Sequence, residues 1–405
     1  MCLFADDSSL FTCVRGVDET HRKLERDLKQ VESWGYQWKM IFNPNLSKQA
    51  IEVVFSCKDK KPFHPELSFN GIPVARQSYT KHLGLNLDNR LSFSKHIKEK
   101  VGKAIKGLNL LKFLTRYVDR NTLAMSYKLY VRPHLEYGDV IFHNQRLDLM
   151  NIIEQVQYKA ALIVSGCWQG TCREKLYQEL GWESLSDRRW IRRLTIFYKI
   201  KKGLAPHYLL DHIPERNEIS MSLRNRHNIP PFSRTDRYRN SFFPYTMNEW
   251  KGLSQEIKDK TSVKAFKESL YKFRRPVGPS LFGINDRWGI RLLTKIRVDF
   301  SDLRDHRFNH NFNCLSPICS CGTESETSSH FFLRCPLYDA QRVTLLSKIS
   351  NTIHGDVAVL PNDHLLHIIL YGSNVYNLAT NKLILTESIM FIRHSGRFTH
   401  LEAFQ

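Results

Sequence analysis

Two groups of residues in this chain have types and spacings that could do chemistry. The first is Asp6-Asp7, which follows the apolar run Cys2-Leu3-Phe4-Ala5 and leads into Ser8-Ser9-Leu10-Phe11. Two adjacent carboxylates beside an apolar strand lose hydration, and a cation or hydrogen-bond donors must offset that loss. The second is Cys319, Cys321, His330 and Cys335, three thiols and an imidazole within seventeen residues. Tetrahedral Zn²⁺ takes such a donor set, and Gly322 permits a tight turn after the second thiol. Cys314 is a spare thiol that could replace one ligand. Phe331 and Phe332, beside the imidazole, either stack on unpaired bases or form a small core.

A third group suits binding. From Arg188 to Arg239 there are thirteen Lys or Arg against four Asp or Glu. Arg188, Arg189, Arg192 and Arg193 are expected on one side of a helix, opposite its apolar stripe. Further on, Arg224, Arg226, Arg234, Arg237 and Arg239 alternate with Phe232, Tyr238, Phe242 and Tyr245. Guanidiniums for phosphates, interleaved with rings for bases, form a nucleic-acid pattern. The whole-chain formal charge of +20 agrees, because such an excess calls for a polyanionic partner.

The elements that must position these groups change in kind along the chain. Residues 1–90 read as α/β. Leu24, Leu28, Val31 and Trp34 recur at helical spacing, Asn43-Pro44-Asn45 breaks the chain, and residues 50–55 read as a largely buried strand. Asn70-Gly71 supplies the two positive φ angles of a type I′ hairpin, and residues 83–87 alternate as a further strand. Over 91–205 the period becomes helical. Ile97 to Leu111 line one helix with Ser94 as a cap. Asn121 caps a second that stops near Pro133. Leu149 to Ile163 form a third closed by Gly166, and Ser186 to Gly203 a fourth. Residues 206–289 read as a basic, aromatic-rich connector with one helix over 262–273. Residues 290–345 carry the cysteine cluster, and 346–405 form a tail with one apolar helical stretch over 383–392.

Composition limits the class. An apolar content of 42% and an aromatic content of 12% over 405 residues suit a globular chain with two or three domains. The longest apolar run, Ala160 to Val164, is far short of bilayer length. Met1 leads into the acidic hairpin without a basic leader, so a cytoplasmic or nuclear, non-secreted protein with no transmembrane segment is expected. Nine cysteines, an odd number with four clustered, suit a reduced compartment with one metal site better than a disulfide framework.

Several segments point to one family. Phe4-Ala5-Asp6-Asp7 resembles the catalytic hairpin of reverse transcriptases, and residues 42–48, Phe-Asn-Pro-Asn-Leu-Ser-Lys, resemble the Asn-x-x-Lys element that follows it. Residues 82–88, His-Leu-Gly-Leu-Asn-Leu-Asp, with Leu91-Ser92-Phe93 and His96-Ile97, resemble the primer-gripping strand and the start of the thumb. Residues 132–138, Arg-Pro-His-Leu-Glu-Tyr-Gly, and Glu154-Gln155-Val156-Gln157 resemble the thumb-side region of jockey-like non-LTR retrotransposon polymerases. Cys319-Ser320-Cys321-Gly322 with His330 and Cys335-Pro336 resembles their C-terminal Cys-Cys-His-Cys knuckle. Each motif is short, but their order and spacing run in register over residues 1–345.

The resemblance implies an α/β palm remnant (1–90), an α-helical thumb-like bundle (91–205), a basic connector (206–289), a small zinc-knuckle-like module (290–345) and a tail of unknown role (346–405). It implies two-metal nucleotidyl transfer with Mg²⁺ at Asp6 and Asp7 and Lys48 near the triphosphate, acting on an RNA template and a DNA primer. The family's further palm Asp and its fingers are expected upstream of residue 1, so the chain alone is expected to be inactive. Two other readings stand beside this one: an RNA or single-stranded DNA binding module with a structural zinc site, and a small nuclease or structural zinc protein unrelated to retroelements.

Overall fold

The structure, a computed structural model, describes residues 2–4, 7–13, 16–42, 50–56, 65–142, 146–213, 233, 235–274, 283–284, 286–373 and 375–399. They fall into two compact units, 1–99 and 100–405.

The first unit is the α/β one. Strand β1 (Cys2–Phe4) pairs antiparallel with β2 (Asp7–Ser9), Phe4 opposite Asp7. Helix α1 (Val17–Gln37) carries Asp18 and Glu19 in its first turn, where they complement the helix dipole. Strand β3 (Ile51–Glu52) runs parallel to β6 (Ala75–Arg76). The six-residue buried strand expected over 50–55 shortens to these two residues, and Ile51 and Phe55 are exposed. Apolar content marks the segment, but among the described residues it pairs with β6 alone, which is too short to bury it. The hairpin β4 (Ser68–Phe69) and β5 (Ile72–Pro73) turns on Asn70 and Gly71, at φ of 51° and 74°, as their residue types require.

Strands β7 (Tyr79–His82) and β8 (Leu85–Asp88) form another hairpin. Leu83 and Gly84, read from sequence as strand, are its turn, at φ of 46° and 78°. Asp88 then organises the exit. Its carboxylate accepts from the amides of Arg90, Ser92 and Phe93 at 2.9–3.1 Å and from the Ser92 hydroxyl at 3.0 Å. These bonds hold Leu91 and Phe93 in the left-handed region, uncommon for such side chains. Partial burial works to raise the Asp88 pKa, but the bonds outweigh it and leave the carboxyl below its usual range.

Helix α2 (Ser94–Leu114) crosses into the second unit. Next come α3 (Arg120–Ser126), a wide turn over Tyr127–Val131, and α4 (Arg132–Glu136). Two expectations change here. Asp119, not Asn121, caps α3, accepting from the Thr122 amide at 2.8 Å. Pro133 does not end the helical run. Its missing N–H would orphan a carbonyl in an ordinary helix, and the chain instead widens to an i→i+5 turn just before it.

Helix α5 (Leu147–Ser165) ends on Gly166 at φ 73°, as expected. It packs against α3, α6 (Arg173–Leu180) and α7 (Leu185–Lys201). Two polar residues of α5 brace this packing. Glu154 accepts from the Tyr177 hydroxyl at 2.9 Å and the Leu185 amide at 3.2 Å. Gln157 accepts from the Tyr127 hydroxyl at 2.6 Å and donates to the Glu183 carbonyl at 2.9 Å. Among the described residues four α-helices follow: α8 (Asp236–Arg239), α9 (Phe242–Lys251), α10 (Gln255–Lys258) and α11 (Val263–Arg274). Of these only α11 is expected from the sequence. Trp190, Leu194, Phe197 and Tyr198 of α7 share a core with Met247, Trp250, Phe266 and Leu270.

A second core spans residues 290–398. Helices α12 (Arg287–Arg297), α13 (Arg304–Asn309), α14 (Asp339–Ile353), α15 (Asn362–Tyr371) and α16 (Leu378–His394) belong to this part. Residues from 345 onward join the cysteine segment here: Leu345, Ile369, Ile389 and Phe391 pack with Cys319, Phe331, Phe332 and Cys335. At Gly289, α12 lies so close to α16 that a Cβ would sit 2.0 Å from Ile389 Cγ2.

Candidate metal centre

The cysteine segment is folded by its backbone before any metal is considered. Residues 317–326 double back, with the Glu326 amide on the Pro317 carbonyl and the Cys319 amide on the Glu324 carbonyl, both at 2.9 Å. Gly322 takes φ 82° in the reversal, as its position after Cys321 suggests. His330 opens a short wide turn that ends at Arg334 and closes through the Cys335 amide on the His330 carbonyl at 2.8 Å. Five residues is a poor spacing for two ligands on an α-helix. The wider i→i+5 turn brings residues 330 and 335 back toward one side.

One donor atom from each of Cys319, Cys321, His330 and Cys335 lies within 4.8 Å of the other three. The individual separations test the fit. Zn–S of about 2.3 Å in a tetrahedron puts sulfurs about 3.8 Å apart, and Zn–N of about 2.0 Å puts sulfur and nitrogen about 3.5 Å apart. The Cys319 and Cys335 sulfurs are 3.7 Å apart, and Cys321 Sγ is 3.3 Å from His330 Nε2. Cys319, His330 and Cys335 are buried and Cys321 is partly so. The donor set and spacing therefore suit a closed, four-ligand site. Cys314 points elsewhere, its thiol near the carbonyls of Ser316 at 3.2 Å and Arg304 at 3.7 Å.

The thiols are unequal. Burial, and then the neighbouring Cys319 thiol, push Cys335 up to about 12. Burial also raises Cys319. Hydrogen bonds from the hydroxyl and backbone of Thr323 bring Cys321 down to about 6. Phe331 and Phe332 are fully buried, Phe331 edge-on to Tyr338, Phe391 and Phe398. They are core, and stacking on bases is not open to them.

The acidic hairpin is seen only in part. Asp6 and Lys48, and the side chain of Asp7, lie outside the described residues. Ser9 Oγ, two residues past Asp7, is 3.2 Å from His82 Nδ1, so the hairpin meets the start of the His-Leu-Gly segment.

The arginines of α7 do not form a solvated face. Arg188 bonds Glu136 and Glu183, and Arg192 bonds Glu136 and Asp139. Arg189 and Arg193 are buried, and Arg193 pairs with Glu249. Helical spacing puts 189 and 193 on the side of Trp190 and Phe197 rather than opposite it. Arg224, Arg226 and Arg234 lie outside the described residues; Arg237 and Arg239 sit on α8, and Arg239 pairs with Asp236.

A different basic surface emerges on α2 and the turn that follows it. Between Glu99 and Asp119 there are five Lys or Arg and no carboxylate. Lys106, Leu110, Phe113 and Tyr117 follow one another at helical spacing, all exposed, beside Lys112 and Arg116. The rings of Phe113 and Tyr117 are 5.2 Å apart. Lys100 and Lys103 face His134, and after burial their charge helps hold its pKa below the ordinary value. The missing carboxylates are the signal available in the sequence, easily overlooked because these cations are spaced along a helix rather than run together.

The chain is similar to several retrotransposon proteins. Over 191 residues the chain is 24% identical to the probable RNA-directed DNA polymerase from transposon BS of Drosophila melanogaster, covering 46% of this chain and 21% of that protein. Over 234 residues it is 25% identical to the probable RNA-directed DNA polymerase from transposon X-element of the same species, covering 57% and 24%. Over 347 residues it is 20% identical to the retrovirus-related Pol polyprotein from type-1 retrotransposable element R1 of Bradysia coprophila, covering 84% and 32%. The chain is a relative of the non-LTR retrotransposon RNA-directed DNA polymerases. It matches between a fifth and a third of the length of those polymerases. No family model matches the chain, and no solved structure matches it. Among the described residues no helix is long and apolar enough to cross a membrane.

Proposed function

We propose that this chain is the nucleic-acid-handling C-terminal part of a retrotransposon RNA-directed DNA polymerase, with one structural Zn²⁺ held by Cys319, Cys321, His330 and Cys335. The similarity to several such polymerases carries the reading. The convergence of three sulfurs and one imidazole supports the zinc site. In this reading residues 1–90 correspond to part of the palm and the following helices to the thumb. Asp6 and Asp7 belong to the Mg²⁺ site, Lys48 lies near the triphosphate, and the partners are an RNA template and a DNA primer.

Most of each of those relatives lies outside the matched region, and the 405 residues by themselves are expected to extend no primer on an RNA template with Mg²⁺ and dNTPs. Extension that disappears in the double variant Asp6→Ala, Asp7→Ala would overturn that expectation.

Binding is the activity to test first. Affinity for single-stranded RNA and DNA should fall steeply as salt rises, with weak sequence preference, because neutralised phosphates release counterions. Lys106, Lys112 and Arg116 are positioned for phosphates, with Phe113 and Tyr117 for bases. Replacing the three cations by Gln should flatten the log–log salt slope by about 0.7 for each phosphate no longer neutralised. Arg188→Gln, which removes an ion-paired guanidinium, should leave the slope unchanged. A slope insensitive to the α2 triple variant would show that this face is merely solvated.

A further inference from the structure

We propose that Glu324 and Arg334, neither of them a metal ligand, position the ring of His330 so that Nε2 is the ligand atom. The proposal rests on the zinc reading above and extends it to the residues around the site.

His330 is fully buried, so both ring nitrogens must find their partners inside the protein. Nε2 faces Cys321 Sγ at 3.3 Å. Nδ1 faces Glu324 Oε1 at 2.9 Å. A carboxylate only accepts, so Nδ1 carries a proton, and Nε2 is then the nitrogen whose lone pair a metal among the sulfurs would take. The other tautomer would aim an N–H at the thiols and turn its one lone pair toward the carboxylate, away from the sulfurs. A carboxylate behind a ligating imidazole also fixes its orientation.

Glu324 is itself held in place. Arg334 grips both its oxygens, Nε to Oε1 at 2.8 Å and Nη2 to Oε2 at 3.0 Å, a bidentate geometry that lysine does not reproduce. Arg334 also donates to Ser329 Oγ at 2.9 Å. The Glu324 carbonyl meanwhile accepts from the Cys319 amide at 2.9 Å. One residue thus touches two ligands, Cys319 through its backbone and His330 through its side chain. Arg334 lies in the same wide turn as His330, so forming that turn delivers the ring and the clamp together.

The test uses the full chain. Zinc affinity is measured by competition with a chromophoric chelator, and the His330 tautomer is read from ¹⁵N shifts of the ring. In the wild-type protein the proton is expected on Nδ1. Glu324→Ala should weaken zinc about 10- to 100-fold and shift the tautomer population away from Nδ1–H. Glu324→Gln, whose amide oxygen still accepts from Nδ1–H, should recover most of the affinity. It also serves as the check should the alanine variant fold poorly. Arg334→Ala should fall between them. Glu324→Ala with wild-type zinc affinity and an unchanged tautomer would overturn the proposal while leaving the zinc site intact. A wild-type chain that takes up no zinc would bring down the metal reading first, and the proposal with it.

Discussion

Cys335→Ala is expected to abolish zinc uptake and to loosen the whole core of residues 290–398, not only the hairpin that carries the cluster. Cys319 and Cys335 lie within the same apolar core as Phe331, Phe332, Leu345, Ile369, Ile389 and Phe391. A structural zinc contributes about 10–16 kcal/mol of apparent binding free energy at neutral pH, comparable with the roughly 5–15 kcal/mol that holds a typical domain folded. A site of that strength set into a core cannot be emptied locally. Chelation should therefore strip amide protection from α12, α14, α15 and α16, while the core shared by α7, α9 and α11 keeps its own. Zinc must displace the thiol protons to bind. Near pH 7, Cys321, at about 6, is already largely thiolate, whereas Cys319 and Cys335 are pushed upward and keep theirs. Binding should release about two protons per zinc, so affinity should fall about a hundredfold for each pH unit lost down to about 6, and more steeply below. Elemental analysis, native-state hydrogen exchange and pH-resolved competition decide the matter. Full zinc retention by Cys335→Ala, or unchanged protection in α14–α16 after chelation, would remove the basis of the claim.

The cysteine–histidine cluster is legible in the sequence because three thiols and an imidazole at close spacing have few other uses. The turn that unites His330 with Cys335 is not, since no residue type announces an i→i+5 bond. Legibility elsewhere follows local pattern in the same way. Asn70-Gly71 fixes its turn by its own φ angles, and Gly166 closes α5 for the same reason. Leu383 to Ile392 shows as α16 because a long apolar stretch has few alternatives. Helix α14 leaves little trace in the sequence because only Leu345 and Ile349 of its fifteen residues are buried, too narrow a stripe to carry a period. Helix α15 is short and apolar over most of its length, which suits a buried strand equally well. The α7 arginines lie beyond what local pattern can reach. A run of guanidiniums looks like a binding surface until Glu136, Asp139 and Glu249 arrive from distant parts of the chain to pair with it. Those partners are tertiary facts, and no local pattern contains them.

Glu179→Ala is expected to be the most damaging single substitution outside the cysteine–histidine cluster. Glu179 of α6 lies between two buried guanidiniums, Arg120 of α3 and Arg297 of α12. It accepts from Arg120 at 3.2 Å and from Arg297 at 3.0 and 3.2 Å. Thr294 closes the group, accepting from Arg120 at 3.0 Å. All four residues are buried. Burial already drives the Arg120 pKa down, with Glu179 the main charge opposing it. An arginine does not escape by losing its proton at neutral pH. Deleting the carboxylate therefore removes the main opposing charge from a buried Arg120 and the ion-pair partner of a buried Arg297, and removing one partner of a buried pair costs about 3–5 kcal/mol. Replacing the whole group is a different matter. A triple variant, Arg120→Met, Glu179→Leu and Arg297→Met, removes every charge at similar volume and should cost far less than Glu179→Ala alone. The contrast separates electrostatic stranding from simple loss of packing. Native-state hydrogen exchange of the α6 and α12 amides, run on both variants, measures it. If the triple variant proves as unstable as the single one, the cluster holds α3, α6 and α12 together by its hydrogen bonds and shape, and the charge argument fails.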